Sequence, residues 1–354
     1  MSLNTFIIVT IVKIVIALAV LLTIVAYTVW FERKLVGRIQ NRWGPSRVGP
    51  FGLLQPLADG LKFIFKEDIT PPYVNKPLYL LAPLLSLSLA LTSIAVIPIG
   101  GIVDIKGVNT PLQVTGVMDN GQAADINIGL LIILGITSVA VYGVALAGWS
   151  SNSKYSLLGS LRAGAQMVSY EVALGLSLIG VLMFAGSFSL RDIVQSQSGT
   201  WYGFIPKWNL FKGQFVAFFI YLCAAYAETN RVPFDLPEAE TELVAGYHTE
   251  YSSMKFAMFF MAEYANMVTV ACLASLLFLG GWNGPLFGPP ILQYFLPVFW
   301  FGLRVFFFIF LYVWVRGTLP RFRYDQLMGF TWKVLLPLAL ANIAITGLVV
   351  ALRS

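Results

Sequence analysis

Seven of the chain's 17 carboxylates fall between positions 228 and 263: Glu228, Asp235, Glu238, Glu240, Glu242, Glu250 and Glu263. After them no acid occurs until Asp325. Glu171 stands alone in MVSYEVALG, and Glu263 follows Phe256, Phe259, Phe260 and Met261. The text around Glu171, Glu228 and Glu263 is apolar enough to lie at membrane depth, where a lone carboxylate costs roughly 3 kcal/mol on insertion scales. Three such residues on three separate segments point to chemistry. Carboxyls shielded from water and close together titrate as a coupled set, which suits them to passing protons. Plainer readings stand beside this one. Glu238, Glu240 and Glu242 read equally as solvated loop acids, and Glu171 and Glu263 as partners of Arg162 or another buried cation. His248 reads either as a loop residue or as a proton relay.

A second concentration of charge follows the first apolar run. Residues 31–50 read FERKLVGRIQNRWGPSRVGP, with two Gly-Pro pairs that force turns or extended backbone. In the text that follows, Leu53, Leu54, Leu57, Leu61, Ile64 and Phe65 share one helical face. Gln55, Asp59, Lys62 and Lys66 share the other. That stripe predicts a helix over 52–66 lying in the membrane interface. Glu32 and Asp59 are not needed for topology and are expected to pair with Arg33, Arg38 or Lys62. A docking surface and the mouth of a site for an amphipathic ligand is the functional reading; charge bias plus an anchor is the plain one. In the last basic stretch, WVRGTLPRFRYDQLM, the arginines read as topology or snorkelling. Arg304 sits deeper, in an aromatic run, and needs an acid or a carbonyl as partner.

These groups must be positioned by membrane helices. The chain has 354 residues, 58% hydrophobic and 11% charged, with a mean hydropathy of +0.77. That excludes disorder and leaves too little polar surface for a water-soluble fold. About 20 apolar residues cross a bilayer, and eight spans are expected, near 6–30, 78–100, 126–148, 164–185, 213–229, 255–280, 294–315 and 333–352. The first is too long, and its flank too uncharged, for a secretory signal. Of 23 basic residues, 16 fall in loops after odd-numbered spans and 5 on the other side. By the positive-inside rule both termini lie on the non-cytoplasmic side. The net charge of +6 follows this topology and does not imply nucleic acid. Pro233 and Pro237 forbid a continuous helix through Glu242. Broken backbone at that depth needs protein or water against it, as a water-filled half-channel would supply.

Cys223, Cys272 and the single His248 are too few for a structural zinc site, an iron–sulfur cluster or a disulfide framework. Nucleotide-binding glycine motifs are absent. Electrons, if any are involved, come from another protein. The chain reads as one membrane domain, 1–354, without visible internal repeats, which weakens a stand-alone proton- or cation-coupled transporter. A purely structural anchor would leave the clustered acids without purpose.

Four stretches carry a family likeness: FERKLVGRIQNRWGPSRVGPFGLLQPLADGLKFIFKED, AGWSSNSKYSLLGSLRAGAQMVSYEV, ETNRVPFDLPEAETELVAGYHTEYSSMKFAMFFMAEYAN and LPRFRYDQLM. In this order they resemble the H-type membrane subunits of NADH-quinone oxidoreductase, respiratory complex I, whose mitochondrial counterpart is subunit 1. Related membrane-bound hydrogenases and photosynthetic dehydrogenase-like complexes have similar subunits; ETNRVPFDLPEAE lies nearest the respiratory form. The resemblance implies an all-α integral membrane component of a proton-translocating enzyme, in a bacterial inner membrane, with no redox centre of its own. FMN, NADH and iron–sulfur clusters would sit in partner subunits. Partners would include peripheral-arm quinone-site subunits, small and antiporter-like membrane subunits, and lipid. Quinone, the substrate, would enter between the first, interfacial and seventh helices. By motif, Glu32, Arg33, Arg42, Asp59, Lys62 and Phe63 would line or support its passage, with Arg304 facing the same region. Glu171, Glu228, Asp235, Glu238, Glu240, Glu242, Glu250 and Glu263 would form the proton path. No metal site is implied.

Overall fold

The structure, a computed structural model, describes residues 3–105, 108–111, 117–119, 122–124, 126–201, 205–235, 244–285, 287 and 289–353. Its helices are α1 Leu3–Ile39, α2 Gln55–Phe65, α3 Lys76–Ser93, α4 Gly129–Ser150, α5 Lys154–Ala185, α6 Leu190–Gln195, α7 Phe215–Glu228, α8 Ser253–Phe278, α9 Pro290–Thr318, α10 Tyr324–Phe330 and α11 Leu336–Arg353. A π-helical turn, Thr331–Leu335, joins the last two. Among the described residues seven helical segments are long and apolar enough to cross a membrane, and α7 is a shorter apolar helix. These eight correspond to the eight expected spans. The last begins nine residues earlier than its apolar run, because Tyr324–Phe330 is already helical.

The short helix α7 is the informative departure. Its 14 residues rise about 21 Å, against a hydrocarbon core of about 30 Å. The helix therefore ends at Glu228, short of a full crossing. The break is lined by protein. Gln166 of α5 donates to the carbonyls of Ala227 at 2.9 Å and Phe234 at 2.7 Å, and to Asn230 Oδ1 at 3.2 Å. The Pro233 carbonyl accepts from the Phe322 amide at 3.2 Å. The Ala227, Pro233 and Phe234 carbonyls at the break are thus satisfied by protein.

Small residues bring the helices together. A Cβ on Gly148 of α4 would lie 2.1 Å from Ser160 Oγ of α5, and one on Gly159 would lie 2.8 Å from the Gly246 backbone. α2 leaves Leu57, Ile64 and Phe65 exposed, as an interfacial helix does. It is tied down at its C-terminal end, where the Ser253 hydroxyl donates to the carbonyls of Phe63 and Lys66 at 2.8 and 2.9 Å. The loops between spans carry antiparallel ribbons that the sequence did not announce: Ile102–Ile105 with Val108–Pro111, Val117–Asp119 with Gln122–Ala124, and Thr200–Trp201 with Ile205–Pro206.

Candidate functional site: a pocket joined to a row of acids

The C-terminal ends of α1 and α9 and the first turns of α8 enclose a pocket of about 560 Å³. Glu32, Arg33, Arg42, Phe260, Tyr264 and Arg316 are among its lining residues. Glu32 is 8% exposed. It forms an ion pair with Arg316 and accepts from the Tyr264 hydroxyl at 2.9 Å. The expected pairing of Glu32 with Arg33, Arg38 or Lys62 is therefore corrected. The partner comes from 284 positions along the chain, brought by the packing of α9 on α1. Asp59 does pair with Arg33, at 2.6 Å, and accepts from Gln55 at 3.0 Å. Arg42 donates to Gln40 at 2.7 Å.

From the pocket a row of polar groups runs inward. The buried Arg231 guanidinium lies 4.1 Å from the Tyr264 ring centre and 5.7 Å from that of Phe260. It also pairs with Glu263 at 3.7 Å. The Tyr247 hydroxyl donates to the other oxygen of Glu263 at 3.0 Å. Glu263 and Glu228 then line one cavity of about 30 Å³, together with Ser86, Asn230, Tyr247 and Asn266. Glu228 lies close enough to Glu171 for their charges to interact. Glu171 accepts from Ser138. Helices α1, α8, α7, α5 and α4 each contribute to this row.

Other expected residues lie elsewhere. Asp235 pairs with Arg321 at 2.9 Å beside the break. Glu250 accepts from the Tyr73 hydroxyl at 2.9 Å, on a half-exposed loop; this holds the Tyr73 phenol above its ordinary value. Lys62 is exposed. Phe63 packs on Phe256 with ring centres 6.3 Å apart. Arg304 does not face the pocket. It lies 12 residues from Arg316 on α9, about 18 Å, donates to the Gly281 and Asn283 carbonyls, and sits 5.0 Å from the Trp208 ring. A carbonyl pair is its partner, because the turn after α8 presents two free acceptors there. Glu238, Glu240 and Glu242 lie outside the described residues. His248 is buried, with Nδ1 2.8 Å from the Ala245 carbonyl. The cation beside Glu263 is Arg231, while Arg162 lies 5.8 Å from the Tyr324 ring centre.

Sequence reasoning did not single out Arg231, Tyr264, Tyr247, Gln166 or Lys255. Lys255, 4% exposed, pairs with Asp68 at 3.0 Å and donates to Thr70 at 2.7 Å. A cation beside the acidic stretch was visible in TNRVP and SSMKF; its partners were not, since pairing through space leaves no local spacing.

The fold and site define an all-α, multi-pass membrane protein in which a large pocket continues into a row of carboxyls, Glu32 buried and Glu263, Glu228 and Glu171 partly buried. The NADH dehydrogenase family profile matches residues 12–347. NADH-quinone oxidoreductase H subunit 2 of Koribacter versatilis is 72% identical over 356 residues, covering 99% of each chain. The corresponding H subunit 1 of Geobacter sulfurreducens is 52% identical over 345 residues, covering 97% of this chain and 95% of that one. The H subunit of the Thermomicrobium roseum enzyme is 52% identical over 335 residues, covering 94% and 93%. The chain belongs to this family, the H subunits of NADH-quinone oxidoreductase, and its partners are other subunits of that complex.

Proposed function

We propose that the pocket at Glu32, Tyr264 and Arg316 is this chain's share of a quinone chamber, and that the row from Glu32 to Glu171 couples quinone reduction to proton translocation. The observation that carries this is continuity. Wall residues of the pocket touch Arg231, Arg231 touches Glu263, and Glu263 shares a cavity with Glu228, which feels Glu171. A volume near 560 Å³ suits a small-molecule headgroup, and α2 with the exposed flank of α1 offers apolar surface for a lipid tail.

Reduction of a quinone to a quinol takes two electrons and two protons. The electrons arrive from an iron–sulfur cluster of a peripheral-arm subunit; this chain supplies no redox centre. The electrons that arrive at the headgroup, and the two protons taken up there from its surroundings, are felt by Glu32 and Arg316. The Tyr264 hydroxyl and the Arg231 guanidinium carry that change to Glu263, because each is bonded or stacked on its neighbours with little water between. The acids then exchange protons as one coupled set. The proton path of this reading also takes in Asp235, Glu238, Glu240, Glu242 and Glu250. Arg33, Arg42, Asp59, Lys62 and Phe63 support the chamber's rim; Arg304 holds the far end of α9. The charge change passes on to small and antiporter-like membrane subunits. The complex lies in a bacterial inner membrane, both termini of this single membrane domain on the non-cytoplasmic side. Full-length likeness to named H subunits supports this reading over a hydrogenase-type complex or a solitary transporter.

Glu228→Gln in the assembled complex is the test. It removes a titrating group at little change of shape. Quinone reduction and pumping are expected to fall about 10- to 100-fold, while electron transfer from NADH to a soluble artificial acceptor continues. Normal rates of both quinone reduction and pumping would overturn the proposal.

A further inference from the structure

Half-buried Arg304 of α9 is a cation without a counter-ion. Its two Nη groups donate to the Gly281 and Asn283 carbonyls. Carbonyls solvate a guanidinium without neutralising it, and these two leave three of its five N–H donors unused. Among the described residues no carboxylate pairs with it. Its neighbours Trp208, Gly281 and Asn283 come from two stretches without acids, one between Asp192 and Glu228 and the other between Glu263 and Asp325. The first of these adds two more cations, Lys207 and Lys212. A charge held among apolar groups calls for an anion, and the stretches around this one supply none.

Arg304 borders a groove of about 550 Å³ and is its only charged lining residue. The walls are apolar and fixed in place. The Trp208 indole lies over Gly280, where a Cβ would come within 2.9 Å of its Cδ1; the Trp300 indole lies over Gly284, where that distance would be 2.5 Å. Trp300 Nε1 also donates to the Pro285 carbonyl at 3.1 Å. Each indole has its place made by a missing side chain, so the groove is formed before any ligand arrives. From Trp300 to Phe310 it follows ten residues of α9, about 15 Å, which is half of a hydrocarbon core of about 30 Å. Leu303 and Phe307 along it are 46% and 52% exposed. The tryptophans and the arginine stand beside the turn after α8, as interfacial anchors do. The phenylalanines continue from there toward the Arg316 end of the helix.

We propose that this groove seats one anionic phospholipid, its phosphate at the open edge of the Arg304 guanidinium and an acyl chain along Leu303, Phe307 and Phe310. The two parts of the groove match the two parts of such a molecule. A zwitterionic lipid would bring a cation of its own to a region that already holds Lys207, Lys212 and Arg304. A free phosphate ion would leave the apolar part unfilled. The seat lies about 18 Å along α9 from Arg316, so it is separate from the pocket at Glu32 and does not rest on the reading of that pocket.

The experiment uses the assembled complex in phosphatidylcholine nanodiscs. A trace of phosphatidylglycerol or of phosphatidylcholine is added, each carrying a photoreactive diazirine in its acyl chain, and the label is mapped by peptide mass spectrometry. The phosphatidylglycerol probe is expected to label residues 300–310 about fivefold more than the phosphatidylcholine probe, the worth of one cation beside an anionic headgroup. The exposed flank of α11 at Leu340 and Ile345 should take both probes equally. Arg304→Gln should abolish the preference at 300–310, and Arg304→Lys should keep it. Leu303→Trp, which fills the groove, should lower labelling there by both probes. Equal labelling of 300–310 by the two probes in the wild type, or a preference unchanged in Arg304→Gln, would overturn the proposal. So would an unlabelled 300–310, which would mean that a neighbouring subunit covers the groove. If Arg304→Gln fails to assemble, Leu303→Trp decides: undiminished labelling would overturn the groove as the seat.

Discussion

The two halves of the helix bundle are both held by buried polar groups, of different kinds. In the half around the turns after α6 and α8, amides and hydroxyls join the helices, alongside the Arg304 guanidinium on the Gly281 and Asn283 carbonyls. Gln197 donates to the Leu276 carbonyl at 2.8 Å and accepts from the Asn209 amide at 3.1 Å. Asn209 donates to Leu277 at 2.8 Å. Gln214 donates to Thr346 at 2.9 Å and accepts from Asn342 at 3.2 Å. Gly180 makes room, since a Cβ there would lie 2.3 Å from Gln214 Oε1. In the other half the corresponding work is done by Glu32, Arg231, Glu263, Glu228 and Glu171, around a helix break and two cavities. Amides fix helices in register and have no proton to exchange near neutral pH. Carboxyls fix them less economically but can change charge. The contrast separates a polar network that seals from one that conducts.

Breaking the conducting network at the pocket is expected to have the largest effect. Arg316→Ala leaves the buried Glu32 without its cation, so the quinone KM should rise about tenfold or more, with a loss of roughly 2 kcal/mol in stability. Steady-state kinetics and thermal inactivation of the complex measure the two. Breaking the sealing network should act differently. Gln214→Ala strands Thr346 and Asn342 and should cost roughly 1–3 kcal/mol of stability. Protons pumped per NADH should stay unchanged. If Gln214→Ala altered that ratio, the division between the halves would be wrong.

The smallest expected effect lies on the loop joining the break to α8. Tyr73 donates to Glu250, and that bond, first, then burial and the Glu250 charge, raise the phenol above its ordinary 10.0. A raised value in the folded state favours the protonated phenol. Its contribution is therefore complete below about pH 10 and lost as pH climbs through the raised value. Tyr73→Phe should cost a small, pH-independent amount of stability near neutrality, and inactivation-versus-pH curves for variant and wild type should converge in the alkaline range.

Much of this was legible in the sequence. Apolar runs located every span, because one long hydrophobic stretch per crossing is a local property. The 52–66 stripe located α2 to within three residues at its start and one at its end, again because helical spacing is local. Pro233 announced the break after Glu228. What was not legible depends on packing. Glu32 finds Arg316 rather than its neighbour Arg33, since Arg33 turns to Asp59. Arg304 finds carbonyls at a turn whose position no spacing encodes. Gln166 looks like any helix residue in AGAQMVSYEV, yet it carries three acceptors of the broken segment. The short ribbons between spans are too brief to leave a periodic signal.

The most direct test of the central claim is redox-induced infrared difference spectroscopy on the assembled complex, with and without Glu228→Gln. If these carboxyls answer together to quinone chemistry, turnover produces a carboxyl stretching change that disappears or shifts in the variant, together with pumping. A carboxyl difference spectrum identical in the two, with pumping intact, would contradict the account.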